Sequence, residues 1–254
     1  MMLVVDCGNT DTVLGLYKEM KQQHVWRMPS SDTLNHQTWS YRIASELMEQ
    51  GCTPADIKQT VLSSVVPDLT IPLIESLENL TGRAVTVLNA ELYDQLNIKV
   101  INTVEIGADL VANAVAAYDL FKQKCVIVDF GTALTLTTVK DNGELAGVAI
   151  APGLRTAVKA LLQHTAQLPE VPLEMPESVL GKNTIEAIQA GVVMGYTGMV
   201  RHLVGQVKKE IGEETKVIAT GGLSEVLSEL DDLFDAKDRS LTLNGLVWIG
   251  MRKK

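Results

Sequence analysis

Two short stretches, Asp6-Cys7-Gly8-Asn9-Thr10 and Asp129-Phe130-Gly131-Thr132-Ala133, carry residue types that bind polyphosphate, and they lie about half a chain length apart. In each, the glycine permits close backbone approach, turn N–H groups and the Asn or Thr side chains can donate to phosphate oxygens, and the Asp can hold a hydrated cation. Taken singly, either stretch reads better as an ordinary hairpin turn, where Asp and Gly are common. The repetition suggests instead a nucleotide held between two related halves.

A third carboxylate could do chemistry of its own. Ile106-Gly107-Ala108-Asp109 runs into Leu110-Val111-Ala112-Asn113-Ala114, a strongly helix-forming segment, so Asp109 sits in or just before a first helical turn. Asp is an ordinary helix cap there. The other role is a general base that takes the proton of an alcohol attacking a phosphate. Both can coexist, because a carboxylate keeps acceptor sites after one backbone bond. Further on, Thr220-Gly221-Gly222 offers a flat backbone against which a purine and ribose can lie, although alone it is a plain strand-to-helix turn.

The elements that must position these groups follow from hydrophobic periodicity. β-branched apolar runs predict strands over 3–8, 12–17 and 24–28, then a helix over 38–50, a strand over 60–64, a helix over 69–80 and a strand over 84–88. The opening order recurs as strands over 125–129, 134–139 and 146–151. A helix over 154–165, an extended Pro-rich stretch over 168–176, a long helix from Thr184 to about 211, a strand over 216–219 and helices over 223–230 and 241–251 complete the reading. The long helix carries Ile188, Val192, Gly195, Met199, Leu203 and Val207 at helical steps, with Ala190, Gly191 and Gly198 among them. That pattern suits close packing on a symmetry mate as well as burial against the chain's own sheet. Together these elements predict an α/β protein of two domains, 1–117 and 118–254.

Composition narrows the function. With 31 acidic against 22 basic residues and a net charge of −9 in 254 residues, the chain lacks the basic footprint of a nucleic-acid binder. The apolar start is broken by Asp6 and is too short for a signal peptide or a membrane span, which places the protein in the cytoplasm, away from any membrane. Cys7, Cys52 and Cys125 are odd in number and set in or near apolar runs, so they read as reduced thiols. His24, His36, His164 and His202 show no ligand spacing for zinc.

Taken in order, Asp6-Cys7-Gly8-Asn9-Thr10, Gly107-Ala108-Asp109, Asp129-Phe130-Gly131-Thr132-Ala133, Ala151-Pro152-Gly153-Leu154, Gly181-Lys182-Asn183-Thr184 and Ala219-Thr220-Gly221-Gly222-Leu223 resemble the type III pantothenate kinases. These belong to the acetate kinase, sugar kinase, heat-shock ATPase and actin superfamily. The resemblance implies two ribonuclease-H-like halves, each a mixed five-stranded sheet with flanking helices. It also implies a homodimer that phosphorylates pantothenate with ATP, the first committed step toward coenzyme A. Magnesium would accompany the nucleotide, with a monovalent cation, potassium or ammonium.

By position, Asp6, Cys7, Gly8, Asn9, Thr10, Asp11, Thr12 and Val13 would form the first phosphate loop, with Asp6 reaching magnesium, if through water. Thr132, Gly221 and Gly222 would contact the nucleotide, and Asp129 would ligate the monovalent cation. Asp109 would be the base. Pantothenate would meet Gly107, Ala108, Asp109, Leu110 and Val100, and Thr184 across the dimer interface.

The acceptor half departs from the family pattern. Leu110 stands where the family usually has an Arg able to fork onto the pantothenate carboxylate. Leu88-Asn89-Ala90-Glu91 replaces a Gly-Pro-Gly turn, and Val100-Ile101 replaces a Tyr followed by a Pro. A lost charge-assisted pair is worth roughly 10- to 150-fold in binding. Three readings stand: a pantothenate kinase with a rebuilt pocket, a kinase for another small alcohol, and a silent nucleotide-binding regulatory relative. Retention of Asp6, Asp109, Asp129 and Thr132 favours an active kinase.

Overall fold

Strand β1 (Met2–Cys7) is central to its sheet because it is apolar on both faces, with Leu3, Val4, Val5 and Cys7 all buried. A tight loop turns it back into β2 (Asp11–Lys18), which continues into β3 (Lys21–Pro29), both pairings antiparallel. On its other edge β1 pairs in parallel with β4 (Gln59–Ser64), and β4 with β5 (Val85–Val87), giving the order β3-β2-β1-β4-β5. The computed structural model describes residues 1–30, 36–163 and 171–252.

Helices α1 (His36–Glu49) and α2 (Pro67–Thr81) close one face of this sheet, packing Trp39, Ile43 and Leu73 against Leu3, Val5 and Leu14. Proline at the first position of α2 is suited to a helix start, and Gly82 ends the helix at φ 66°, in the left-handed region. A short α3 (Ala90–Tyr93) is capped by Asn89, whose side chain accepts from Leu92 N–H at 3.2 Å. Then come Gly107 and α4 (Ala108–Phe121).

The second unit repeats the plan. β6 (Cys125–Phe130), β7 (Ala133–Val139) and β8 (Leu145–Pro152) form the antiparallel meander. β9 (Lys216–Thr220) runs parallel to β6, and β10 (Ala236–Lys237) parallel to β9, so the order is β10-β9-β6-β7-β8. Counted from each unit's first strand, the two sheets have one topology. The hairpins differ by one residue: four residues separate the pair Cys7 and Thr12, three the pair Phe130 and Leu134. Helices α5 (Leu154–Gln163) and α7 (Gly195–Ile211) supply Leu154, Val200 and Val204 to a core with Val126, Val128, Phe130 and Leu134, against which Ile185 and Ile188 of α6 (Thr184–Gln189) pack.

Five expectations need correcting or bounding. The chain divides into Met1–Ala116 with Leu241–Lys254, and Ala117–Ser240. The last helix, α8 (Leu241–Arg252), thus belongs with the first unit rather than with 118–254. It lies on the sheet face opposite α1 and α2. Gly15 and Val4 meet Leu243 there, Gly245 abuts the Ala112 backbone of α4, and Tyr17 donates to Asn244 Oδ1 at 2.8 Å.

The long helix from Thr184 is also not continuous, because a π turn (Ala190–Met194) divides α6 from α7, with the adjacent Val192 and Val193 both buried there. The segment 223–230 is a run of turns leading into a 3₁₀ helix (Ser228–Leu233). Leu223, Leu227 and Leu230 are buried at helical spacing, but Ser224 gives its N–H (3.3 Å) and its hydroxyl (2.9 Å) to Gly221 O, a local alternative to the helix. The last turn predicted for 154–165, from 164 on, and positions 168–170 of the Pro-rich stretch lie outside the described residues. No helix among the described residues is long and apolar enough to cross a membrane.

Candidate active site

The first loop is a two-residue turn closed by Gly8 N–H on Asp11 O (3.0 Å). Asp6, at the end of β1, is half-buried, and Asn9 and Thr10 are exposed at the tip. Asp11 pairs with Arg27 at 2.9 Å. Thr12 differs from its neighbours: it is fully buried, its hydroxyl directed to Cys7 Sγ (3.4 Å) and Ser30 Oγ (3.1 Å), so its side chain serves the interior of the loop. Burial pushes the Cys7 thiol up, against the pull of hydrogen bonds from Thr12 and Ser64. A protonated thiol is a poor nucleophile, and Cys7 offers a ligand only its backbone.

The second loop is built from β6, β7 and the end of β8. Gly131 N–H donates to Ala133 O at 3.1 Å, while Thr132 O accepts both Gly153 N–H (2.9 Å) and the Thr156 hydroxyl (2.7 Å). A Cβ on Gly153 would collide with the carbonyls of Gly131 and Thr132, which is why the chain has Pro152-Gly153 at this point. Gly221, at φ +89°, lies against the same loop, where a Cβ would sit 2.6 Å from Asp129 Oδ1 and 2.7 Å from the Phe130 backbone. The structure therefore brings Asp129, Gly131, Thr132 and Gly221 together, whereas Gly222 faces open space.

Asp109 occupies the first turn of α4 and accepts Leu110 N–H on Oδ1 at 2.8 Å. A Cβ at Gly107 would collide with that same oxygen, so the glycine leaves the room in which the carboxylate lies. Burial raises the proton affinity of Asp109, and the N–H groups of Leu110 and of Asp109 itself pull it back only in part. Tyr93, at the end of α3, is 4 % exposed; burial and then the Asp109 charge push its hydroxyl up, which puts the two groups within electrostatic reach. Leu110 is buried at 8 % exposure, Ala108 is buried, and Val100 is half-buried.

Thr184 stands elsewhere in the second unit, exposed at the start of α6. Asn183 caps this helix by accepting Glu186 N–H at 3.0 Å, and the Glu186 carboxylate accepts Lys182 N–H at 2.8 Å. A cavity of about 690 Å³ opens here, lined by Lys182, Asn183, Thr184 and the apolar Leu161, Ile188 and Val192. Ser30, Tyr93, Thr156 and Ser224 escaped the sequence reading. Ser30, Tyr93 and Thr156 act through tertiary contacts that no local spacing announces, and Ser224 through a local bond to Gly221 O.

Two mixed sheets of one topology, each with an Asp near the end of its first strand and a tight turn after it, define the actin-like ATPase fold. Solved structures that share it include the two that follow. Component A of (R)-2-hydroxyglutaryl-CoA dehydratase from Acidaminococcus fermentans is 13 % identical, with 98 % of this chain and 96 % of that one covered at a TM-score of 0.57. The activator of 2-hydroxyisocaproyl-CoA dehydratase from Clostridium difficile with bound ADPNP is 12 % identical, with 98 % and 92 % covered at 0.53.

Sequence similarity is more specific. Residues 2–206 match the family model of type III pantothenate kinase. A type III pantothenate kinase of Treponema pallidum (strain Nichols) is 42 % identical over 254 residues, covering 98 % of this chain and 93 % of the relative. The chain belongs to the type III pantothenate kinase family. It is a family of kinases, whose chemistry uses ATP with a divalent metal and a small-molecule acceptor.

Proposed function

We propose that this protein phosphorylates pantothenate at its terminal hydroxyl, with Asp109 as general base. The observation that carries the reading is the Asp109 carboxylate itself: fixed by Leu110 N–H, housed in space left by Gly107, and raised in proton affinity by burial. A base must be positioned and must hold the alcohol proton: the Leu110 N–H bond fixes the carboxylate, and its raised proton affinity favours holding the proton. Each of the turns after β1 and β6 is of a kind whose backbone N–H groups would suit a phosphate, and within the second unit Gly221 lies close against Asp129.

The donor set suits the cations of this chemistry. Aspartate oxygens are hard ligands, and the space beside Asp129 Oδ1 is one that a Cβ at 221 would fill. Asp6 would hold magnesium through water and Asp129 a potassium or ammonium ion. Magnesium, when bound with the nucleotide, neutralises charge on the transferred phosphoryl group. Thr184 opens on the cavity beside Lys182 and would meet the acceptor, in this family from the partner subunit. A homodimer along α6 and α7 is supported by Gly191, Gly195 and Gly198, exposed positions where an added Cβ would meet nothing within 4 Å. Sedimentation at micromolar concentration should give a dimer; a monomer would remove any cross-subunit role for Thr184.

The buried, uncharged Leu110 favours one second reading, an acceptor without a carboxylate. Initial rates with Mg-ATP, potassium, and either pantothenate or pantothenol, which lacks the carboxylate, test both. Turnover of pantothenate with formation of its phosphate ester supports the first reading. Turnover of pantothenol alone supports the second, and turnover of neither refutes both.

A further inference from the structure

One residue outside the first loop holds two of the loop's carbonyls. Ser30 follows β3 and is 3 % exposed. It gives its backbone N–H to Thr10 O at 2.9 Å and its hydroxyl to Gly8 O at 2.6 Å. A serine hydroxyl has a single proton, and the 2.6 Å bond uses it. The Thr12 hydroxyl, 3.1 Å away, therefore donates into Ser30 Oγ or turns to its alternative acceptor, Cys7 Sγ at 3.4 Å. In either case Ser30 donates into the turn, a direction set by its single proton.

That direction has a consequence for ligand binding. No peptide bond described here is cis, so the C=O of Gly8 and the N–H of Asn9 lie on opposite edges of one plane. With the carbonyl held toward Ser30, the Asn9 N–H faces away from it, at the exposed tip of the turn. Without the Ser30 hydroxyl this plane is free to rotate, because Gly8 has no side chain to resist it. Rotation would present a carbonyl oxygen to the phosphates in place of a donor.

We infer that Ser30 is a positioning residue for nucleotide binding: it presets the Gly8–Asn9 peptide plane so that a donor, not an acceptor, faces the phosphates. The inference rests on reading residues 6–13 as the nucleotide loop. The test compares wild type, Ser30→Ala, Ser30→Thr and Ser30→Cys by Mg-ATP affinity from calorimetry, by KM for ATP and pantothenate, and by thermal melting without ligand. Ser30→Ala should raise Kd and KM for ATP roughly tenfold, the scale of a lost buried hydrogen bond, at unchanged pantothenate KM. Ser30→Thr, which keeps the hydroxyl, should restore them. If Ser30→Ala fails to fold, Ser30→Cys, with a weak donor of similar size, carries the same comparison. Wild-type ATP affinity in the Ala or Cys variant, or equal losses for both substrates, would overturn the role of Ser30. A wild-type protein that binds no Mg-ATP would instead overturn the nucleotide-loop reading, and this role with it.

Discussion

Gly107→Ala tests whether the space beside Asp109 exists for the carboxylate. The new Cβ would collide with Asp109 Oδ1, while its next neighbours, Asp109 Cγ and Val65 Cγ1, are at an ordinary 3.6 Å. The clash is therefore with one atom, and the carboxylate yields by rotating. Gly107 is not at positive φ, so alanine brings no backbone strain that would confuse the outcome. Rotation takes Oδ1 from Leu110 N–H, which it accepts at 2.8 Å. An off-rotamer side chain costs about 0.5–1.5 kcal/mol, and a lost hydrogen bond to a charged group about 1.5–3 kcal/mol.

The carboxylate will take whichever displaced position costs less, and neither keeps it in register with an acceptor hydroxyl. Misplacement of a catalytic group by about 1 Å costs roughly 10²-fold in rate. We expect kcat for pantothenate to fall by roughly that factor with KM for ATP near wild type, measured by coupled ADP release at saturating potassium. A variant with wild-type kcat would refute the argument, because the base would then tolerate displacement or would not be Asp109. Loss of ATP affinity in parallel would refute it differently, by showing damage to the fold rather than to the base.

Further outcomes follow from the same geometry. Asp109→Asn should lower turnover by about 10²–10⁴-fold and yet melt higher at pH 7. Because burial raises the Asp109 pKa, its ionised form costs stability; the favourable contribution is present below the ordinary carboxylate range and is lost as pH rises through the raised value. The stability gap between wild type and Asp109→Asn should therefore close on acidification, as scanning calorimetry at pH 7 and pH 4 would read; a less stable variant at pH 7 would contradict the shift. In wild type, kcat/KM should fall on the acid side with a midpoint above the ordinary Asp value of about 3.9, since protonation removes the base. Gly221→Ala, forced into φ +89° with its Cβ 2.6 Å from Asp129 Oδ1, should lower the melting temperature by several degrees and weaken activation by potassium; an unchanged melt and potassium response would remove Gly221 from the site.

The sequence alone determined the local parts of this protein. The turn after β1 and its repeat after β6 were readable because Asp and Gly end β-branched runs, and both hairpins form where those runs predict. Asp109 was readable as a helix-start carboxylate because a helix-forming run follows it, and the ordered motifs pointed to the family that the comparisons establish.

What only tertiary structure decided is which surfaces those parts meet. The periodicity of α8 shows an apolar face but not its partner, and it packs on the β1 sheet because Gly245 and Gly15 give it room against Ala112 and Leu243. Leu223, Leu227 and Leu230 have helical spacing, yet the segment is a run of turns, and it is their packing into the core with Val126, Val128 and Phe130 that buries the same three side chains. Ser30 carries no motif and reaches the loop across a β-pairing; Gly107 matters through the carboxylate it leaves room for. Periodicity reports which face of an element avoids water, and this is a local property. Hydrogen-bond partners, clashes and proton affinities depend on what long-range packing sets against that face.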